Sequence, residues 1–292
     1  MNILLLILLA LIYTFQSLFA KMYSDRYIGE ERFSSPVFSV IYGFVIAFCT
    51  LAINGFSYHP SLFTLLMGIG NGLVIFLYNL ALIEGSRRGP YSLVMICNLS
   101  GGLLMPLFAL SICGMETLSI LSIVGVCLML VAFVLLNLKD GQQQKPKKSF
   151  YFWILFLAIV NGSFSVFLSL QTNLMAGEER SEMLVTTFAF GGLFSLLYLL
   201  LTARKKFIST FRTSWKAFLC ALGSCVAATA AANLVMYLYS VMSNTVVNAT
   251  NQGGILVFSV LVSLLFFKER MNWKQVVGAV VAVVAVILLN VK

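Results

Sequence analysis

Ten stretches of this 292-residue chain are long and apolar enough to demand a membrane, and its ten Asp and Glu residues all fall in loops or at the ends of those stretches. Lipid offers no partner to a backbone N–H or C=O, so each stretch must satisfy its own hydrogen bonds, as only a helix or a closed barrel does. Continuous apolar runs without strand alternation choose helices. The spans lie at roughly 2–20, 34–53, 62–83, 90–112, 118–138, 150–171, 184–201, 217–240, 246–267 and 273–290. Most reach the ~20 residues that cross a hydrocarbon core of ~30 Å. With 60% apolar residues, 10% charged and a mean hydropathy of +0.98, the chain cannot be an ordinary soluble domain. The expected fold is an all-α membrane protein of ten transmembrane helices.

The basic residues orient it. Seventeen of the nineteen Lys and Arg sit in the loops joining spans 1–2, 3–4, 5–6, 7–8 and 9–10, the exceptions being Arg180 and Lys292. Those loops share one face, which the positive-inside rule makes cytoplasmic, with both termini on the other side of the cell (inner or plasma) membrane. Trp153, Trp215 and Trp273 open spans on the same face, where interfacial indoles belong. The +9 charge therefore marks loops and membrane lipids as neighbours, and not nucleic acid. The first span lacks a basic n-region and a clean cleavage site, so it is expected to stay as a helix. Six cysteines without metal-ligand spacing are expected to be buried free thiols. His59, the one histidine, stands in a short loop beside Pro60, and no Ser/His/Asp, metal or nucleotide-loop pattern occurs. No enzyme and no cofactor is implied.

The tail of the first half recurs in the second. Laying 90–139 over 243–292, an offset of 153, gives 13 identities in 50 positions, among them Asn98 with Asn251, Gly101 with Gly254, Glu116 with Glu269, Gly125 with Gly278 and Asn137 with Asn290. Polar and glycine matches carry more weight here than apolar ones. Five spans per half put the second copy into the membrane in the opposite sense, giving two inverted five-helix repeats, 1–139 and 150–292. A polar linker at 140–149 separates them, containing Asp140, Pro146 and several lysines. Inverted repeats of this kind place a substrate site near the midplane between the halves.

Mid-span polarity consists of amides, hydroxyls and tyrosines. An amide in hydrocarbon is costly unless it is paired or faces water. Candidate binding residues are Gln16, Ser17, Asn71, Tyr78, Asn98, Asn161, Ser165, Tyr237, Asn248, Asn251 and Gln252, with Tyr42 as a further aromatic wall. Asn98 and Asn251 lead, being symmetric and close to Gly101-Gly102 and Gly253-Gly254, pairs expected to weaken a helix where a solute meets backbone. Pro106 is expected to kink span four. Lys21 is the one cation at possible membrane depth, suited either to snorkelling or to holding an anionic group. Glu84 and Arg88 stand at i,i+4 spacing and are expected to pair at the surface.

Leu265-Phe-Phe-Lys-Glu269-Arg-Met-Asn-Trp-Lys-Gln275-Val-Val-Gly278-Ala279 resembles the ninth-to-tenth helix junction of the EamA-type members of the drug/metabolite transporter superfamily. Cys113-Gly-Met-Glu116 with Gly125 is a weaker copy of it. Phe19-Ala20-Lys21 resembles the end of that family's first helix, and Asn79-Leu-Ala-Leu82 a segment of its third. The resemblance implies ten helices in two inverted repeats, a cavity lined by helices 1, 3, 4, 6, 8 and 9, and export or exchange of small metabolites. Glu116 and Glu269 each precede a helix and are expected to serve its positive end. The chain departs from the family at Tyr42, where an Arg is often found, and in the side of the membrane its loop charges assign to the termini. The expected function is a secondary transporter of a small polar metabolite, of amino acid, nucleoside, sugar or organic acid type, working by alternating access. A lipid or lipid-linked sugar flippase of the same fold, and a non-transporting scaffold subunit, stand as rivals.

Overall fold

The computed structural model of the protein describes residues 2–86, 88, 91–115, 119–137, 148–204, 207–211, 213–267 and 272–290. They form eleven α-helices: α1 (Asn2–Ser24), α2 (Glu31–Ile53), α3 (Leu62–Ser86), α4 (Tyr91–Ile112), α5 (Ile120–Asn137), α6 (Phe150–Leu174), α7 (Arg180–Ala203), α8 (Phe207–Thr210), α9 (Trp215–Val241), α10 (Asn244–Phe267) and α11 (Trp273–Asn290). Each apolar span folds as one helix. The single turn α8, inside a basic loop, has no counterpart in the apolar pattern. The described residues contain no strand, only an isolated bridge between Tyr27 and Thr213. Six helices, α1, α2, α3, α6, α7 and α9, are long and apolar enough to cross a membrane, and shorter apolar stretches run through α4, α5 and α11. The chain is a multi-pass membrane protein.

Local chemistry sets the helix ends. Ser214 caps α9 by accepting the Ala217 N–H at 3.1 Å, which satisfies one of the orphan donors of the first turn. Gly114 and Gly177 follow α4 and α6 with φ of +67° and +81°, the left-handed turn a side chain would resist. The expected Glu84–Arg88 pair forms, and the Arg88 guanidinium also lies over the Trp153 ring, 5.1 Å from its centroid.

Helices of one half pack chiefly against helices of the other. α2 lies on α7, α5 on α11, α1 on α9 and α10, and α6 on α3 and α4. The two halves therefore interlock instead of standing as separate bundles. The principal core gathers Leu6, Ile46, Leu168, Met183, Phe188 and Met236 from α1, α2, α6, α7 and α9. A second core joins Leu103, Met129 and Phe133 to Ala282 and Ala285 of α11. Glycine permits the closest approaches. A Cβ on Gly43 of α2 would fall 2.6 Å from the backbone of Gly192 on α7. Large side chains left uncovered, such as Ile112 at 85% and Leu201 at 75% exposure, are those that acyl chains would cover.

Helix assignment continues in α4 and α10 through their glycine pairs, and in α4 also through Pro106. Gly101 instead lets α4 press against the backbone of Ala158 on α6, so its smallness serves packing. Only Cys220 and Cys225 of the six free thiols are buried, while Cys113, in the turn after α4, and Cys127, on α5, are exposed. Glu116, Glu269 and the linker at 140–147 lie outside the described residues.

Candidate functional site

Where the halves meet, the helices line a cavity of about 310 Å³. α1 contributes Tyr13, Gln16 and Ser17, and α3 contributes Ile75, Tyr78 and Asn79, each set one helical turn in extent and so on one face. Asn98 comes from α4, and Asn161, Phe164, Ser165 and Leu168 come from α6. The wall is completed by Ala228, Ala232 and Tyr239 of α9, and by Asn248, Asn251, Gln252 and Ile255 of α10. Two helices beyond those implied by the resemblance also reach it: α2 through Phe38, Ser39 and Tyr42, and α7 through Phe188.

The polar groups of the wall bond in part to one another. Gln16 Nε2 donates to Tyr42 Oη at 3.0 Å, and Asn79 Nδ2 to Ser39 Oγ at 2.8 Å. Tyr239 Oη donates to Asn248 Oδ1 at 2.6 Å. Asn161 Nδ2 donates to the Asn98 carbonyl at 2.7 Å, tying α6 to α4, and Asn98 Nδ2 makes a longer contact of 3.4 Å with Tyr78 Oη. Gly102 makes room for these amides: a Cβ there would fall 2.9 Å from Asn161 Nδ2 and collide with Gln252 Nε2. None of the described lining residues is Asp, Glu, Lys, Arg or His. Among the described residues no group of three His, Cys, Asp or Glu converges to hold a metal.

Ten of the thirteen residues singled out in the sequence line this cavity, namely Gln16, Ser17, Tyr42, Tyr78, Asn98, Asn161, Ser165, Asn248, Asn251 and Gln252. Lys21, Asn71 and Tyr237 do not. Lys21 is exposed one turn beyond Ser17, where its ammonium stays out of the helix interior. Asn71 is fully buried on α3, a turn short of Ile75, and neither atom of its amide finds a partner. Tyr237 is 41% exposed, whereas Tyr239 is buried against Asn248. Two residues along a helix means about 200° around it, so one tyrosine faces out if the other faces in. The signal for choosing correctly lies in the small-residue stripe of α9. Ala221, Ser224, Ala228 and Ala232 recur at three- and four-residue steps and lead through Val235 to Tyr239. Tyr13 and Ser39 carry no comparable signal, because neither has a polar counterpart at the offset of 153, where Val166 and Gly192 stand.

Residues 148–291 match the model of the EamA-like transporter family. No curated protein matches the sequence. In three dimensions the chain is similar to one in a crystal structure of a protein with which it shares 15% identity, at a TM-score of 0.76 over 99% of this chain and 98% of that one. A likeness at that identity concerns the fold alone.

Proposed function

Because the chain belongs to the EamA-like transporter family of the drug/metabolite transporter superfamily, we propose that it carries a small polar metabolite across the cell membrane by alternating access. The observation that carries this reading is the cavity itself, lying between interlocked halves and walled by amides and tyrosines. A scaffold subunit has no use for such a space, and its amides would pair with each other. In this reading all ten long helices cross the membrane, as two inverted repeats. The packing supports it: α1 on α9 and α10 is matched by α6 on α3 and α4, while α2 on α7 and α5 on α11 map onto themselves when the halves are exchanged. The basic loops lie in the cytoplasm and the termini outside. Rocking of one repeat against the other would expose Asn98 and Asn251 to each side in turn.

The test is transport into proteoliposomes, paired with thermal stabilisation of the purified protein by a panel of amino acids, nucleosides, sugars and organic acids. A ligand at 100 times its Kd stabilises the folded state by roughly 2.7 kcal/mol. The expected result is a stabilising solute whose effect and uptake both vanish in the Asn98→Ala, Asn251→Ala double variant, with the variant still folded. Uptake that survives the double change overturns the site. Stabilisation by lipids or lipid-linked sugars alone assigns the fold to a flippase.

A further inference from the structure

Both ends of the bundle carry ties between the halves, and the ties differ in kind. At the end where α2 runs into α3 and α6 into α7, the 54–61 connection of the first half lies against the start of α7. Ser61 gives both its N–H, at 2.9 Å, and its hydroxyl, at 2.8 Å, to Glu179 Oε2. Asn54 Nδ2 donates to Glu182 Oε1 at 3.3 Å. Tyr58 Oη lies 2.8 Å from Thr186 Oγ1. Thr186 gives its own hydrogen to the Glu182 carbonyl at 2.7 Å, so the tyrosine is the donor. Among the described residues no main-chain hydrogen bond joins the two connections. Every tie named here ends on a side chain.

The opposite end is built otherwise. The offset of 153 carries Ser61 onto Ser214 and Arg26 onto Glu179, so equivalent residues meet there. Ser214 Oγ donates to the Arg26 carbonyl at 3.2 Å, Tyr27 Oη donates to the Thr210 carbonyl at 2.5 Å, and Tyr27 and Thr213 form a backbone bridge. These ties end on main chain. A bond to a carbonyl breaks only if the backbone moves, whereas a carboxylate can leave by turning about its own χ angles. From Tyr27 the rings of Tyr23, Phe38 and Tyr42 continue inward at centroid separations of 5.9, 5.1 and 5.4 Å, and the last two belong to the cavity wall.

The carboxylate end stands between the cavity and its loops. On α6 and α7 the wall residues nearest to it are Leu168 and Phe188. Beyond them come Gln171, Thr64 and Thr186, all buried, and then the Glu179 and Glu182 ties. The backbone there is strained. Four described residues other than glycine have a positive φ, and three of them, Phe56, Ala176 and Glu179, lie in these two connections. The left-handed region is costly for a residue with a side chain, so the ties hold a conformation that release would relax.

We propose that the 54–61 connection is a gate to the cavity, latched by Glu179 and Glu182, and that this end of the bundle opens more readily than the other. On the orientation proposed above it faces outward, so it passes solute on the extracytoplasmic side. This inference rests on the reading of the cavity as the transport site.

The test follows the reach of a charged, membrane-impermeant thiol reagent to Ser165→Cys in the cavity wall, in a full-length chain whose six native cysteines are replaced by serine. Whole cells present one face and inverted vesicles the other. Glu179→Ala, Glu182→Ala removes the latch and raises the population of the open form. It is expected to speed labelling from outside by about threefold or more and to leave labelling from inside no faster. Asn54→Ala, Ser61→Ala breaks the same ties from the other half and should do the same, which keeps the test decisive if the first pair fails to fold. Ser214→Ala removes the matching serine, a helix cap like Ser61, and should leave labelling from outside unchanged. No rise from outside in either latch variant overturns the gate, and so does an equal rise on both faces, which marks a loosened fold. A rise as large in Ser214→Ala overturns the difference between the ends. Uptake separates the two readings. If it ignores Asn98→Ala, Asn251→Ala, the transport site falls whatever the labelling shows; if that site stands and labelling does not rise, the gate alone falls.

Discussion

The seams α3–α6 and α9–α1 occupy equivalent places in the two halves, and they are filled in opposite ways. Carrying the offset of 153 upstream places the start of α3 at Leu62 on the start of α9 at Trp215, Gly70 on Gly223 and Asn71 on Ser224. Both glycines receive an aromatic ring from the first helix of the other half. A Cβ on Gly70 would lie 3.1 Å from Phe167, and one on Gly223 would lie 3.4 Å from Phe19. Beyond that contact the likeness ends. In the α9–α1 seam Ser224 Oγ donates to the Gln16 carbonyl at 3.0 Å, and Ala217 and Ala221 are fully buried. The equivalent helices α3 and α6 instead carry Asn71 with no partner, Ser169 with an unpaired hydroxyl, and, bridging the two, Gln171, whose Nε2 donates to Thr64 Oγ1 at 2.7 Å while its Oε1 stays unpaired. At Ser224 one seam is satisfied. The other is polar, closed and incompletely bonded, which makes its closure the more costly of the two.

The sharpest way to break this contrast is to make each seam apolar. Asn71→Leu keeps the branching of the side chain and removes two unpaired amide atoms, so it should stabilise the purified protein by ~1–3 kcal/mol. Ser224→Ala removes a satisfied donor and should destabilise it by ~0.6 kcal/mol, the typical scale of an interhelical bond in lipid. Thermal denaturation of both variants reads the sign. Two shifts in the same direction would mean that the seams are alike after all.

A weaker blow falls on the bond that closes the polar seam. Thr64→Val should cost about 1 kcal/mol, because it strands both ends of the buried Gln171 amide. An unchanged melting point would show that the bond contributes nothing. Smaller still is the difference between Gly70→Ala and Gly223→Ala. Alanine gains up to about 1 kcal/mol of helix propensity at either position, but only at Gly70 must the ring give way by a few tenths of an ångström. Gly223→Ala is therefore expected to melt higher than Gly70→Ala, and the reverse order would contradict the measured spacing.

The least of these effects is the pH dependence at the loop end of the polar seam. Glu179 accepts a hydrogen bond from Thr64, and also from the Ser61 N–H at 2.9 Å and the Ser61 hydroxyl at 2.8 Å, and these hold its carboxyl below the usual glutamate range. A depressed carboxyl stabilises the fold above its unfolded pKa and loses that contribution as the pH falls through its folded value. The wild type should therefore lose a small increment of stability on acidification that Glu179→Gln does not. Parallel curves for the two proteins would count against the tie.

The helices are legible in the sequence because lipid leaves the backbone no alternative, and Asn98 and Asn251 are legible because the repeat marks them. Lys21, Asn71 and Tyr237 show where composition stops. Each is polar and near a span, but which way it faces is decided by neighbours the sequence does not name. Tyr239 was within reach of the α9 stripe, whereas the contributions of α2 and α7 were not, since Ser39 and Phe188 become cavity residues only when the halves interlock. The asymmetry of the two seams is hidden for the same reason: Asn71 and Ser224 are both small polar residues, and only packing leaves one without a partner.

Among the described residues, the cavity wall holds no side chain of Asp, Glu, Lys, Arg or His. Under alternating access that has an electrical consequence. Moving one elementary charge through a membrane potential is worth about 2.3 kcal/mol per 100 mV, and an empty carrier with such a wall moves none as it resets. Its return step should be indifferent to voltage, so any dependence of transport on the potential belongs to the passenger or to an ion that travels with it.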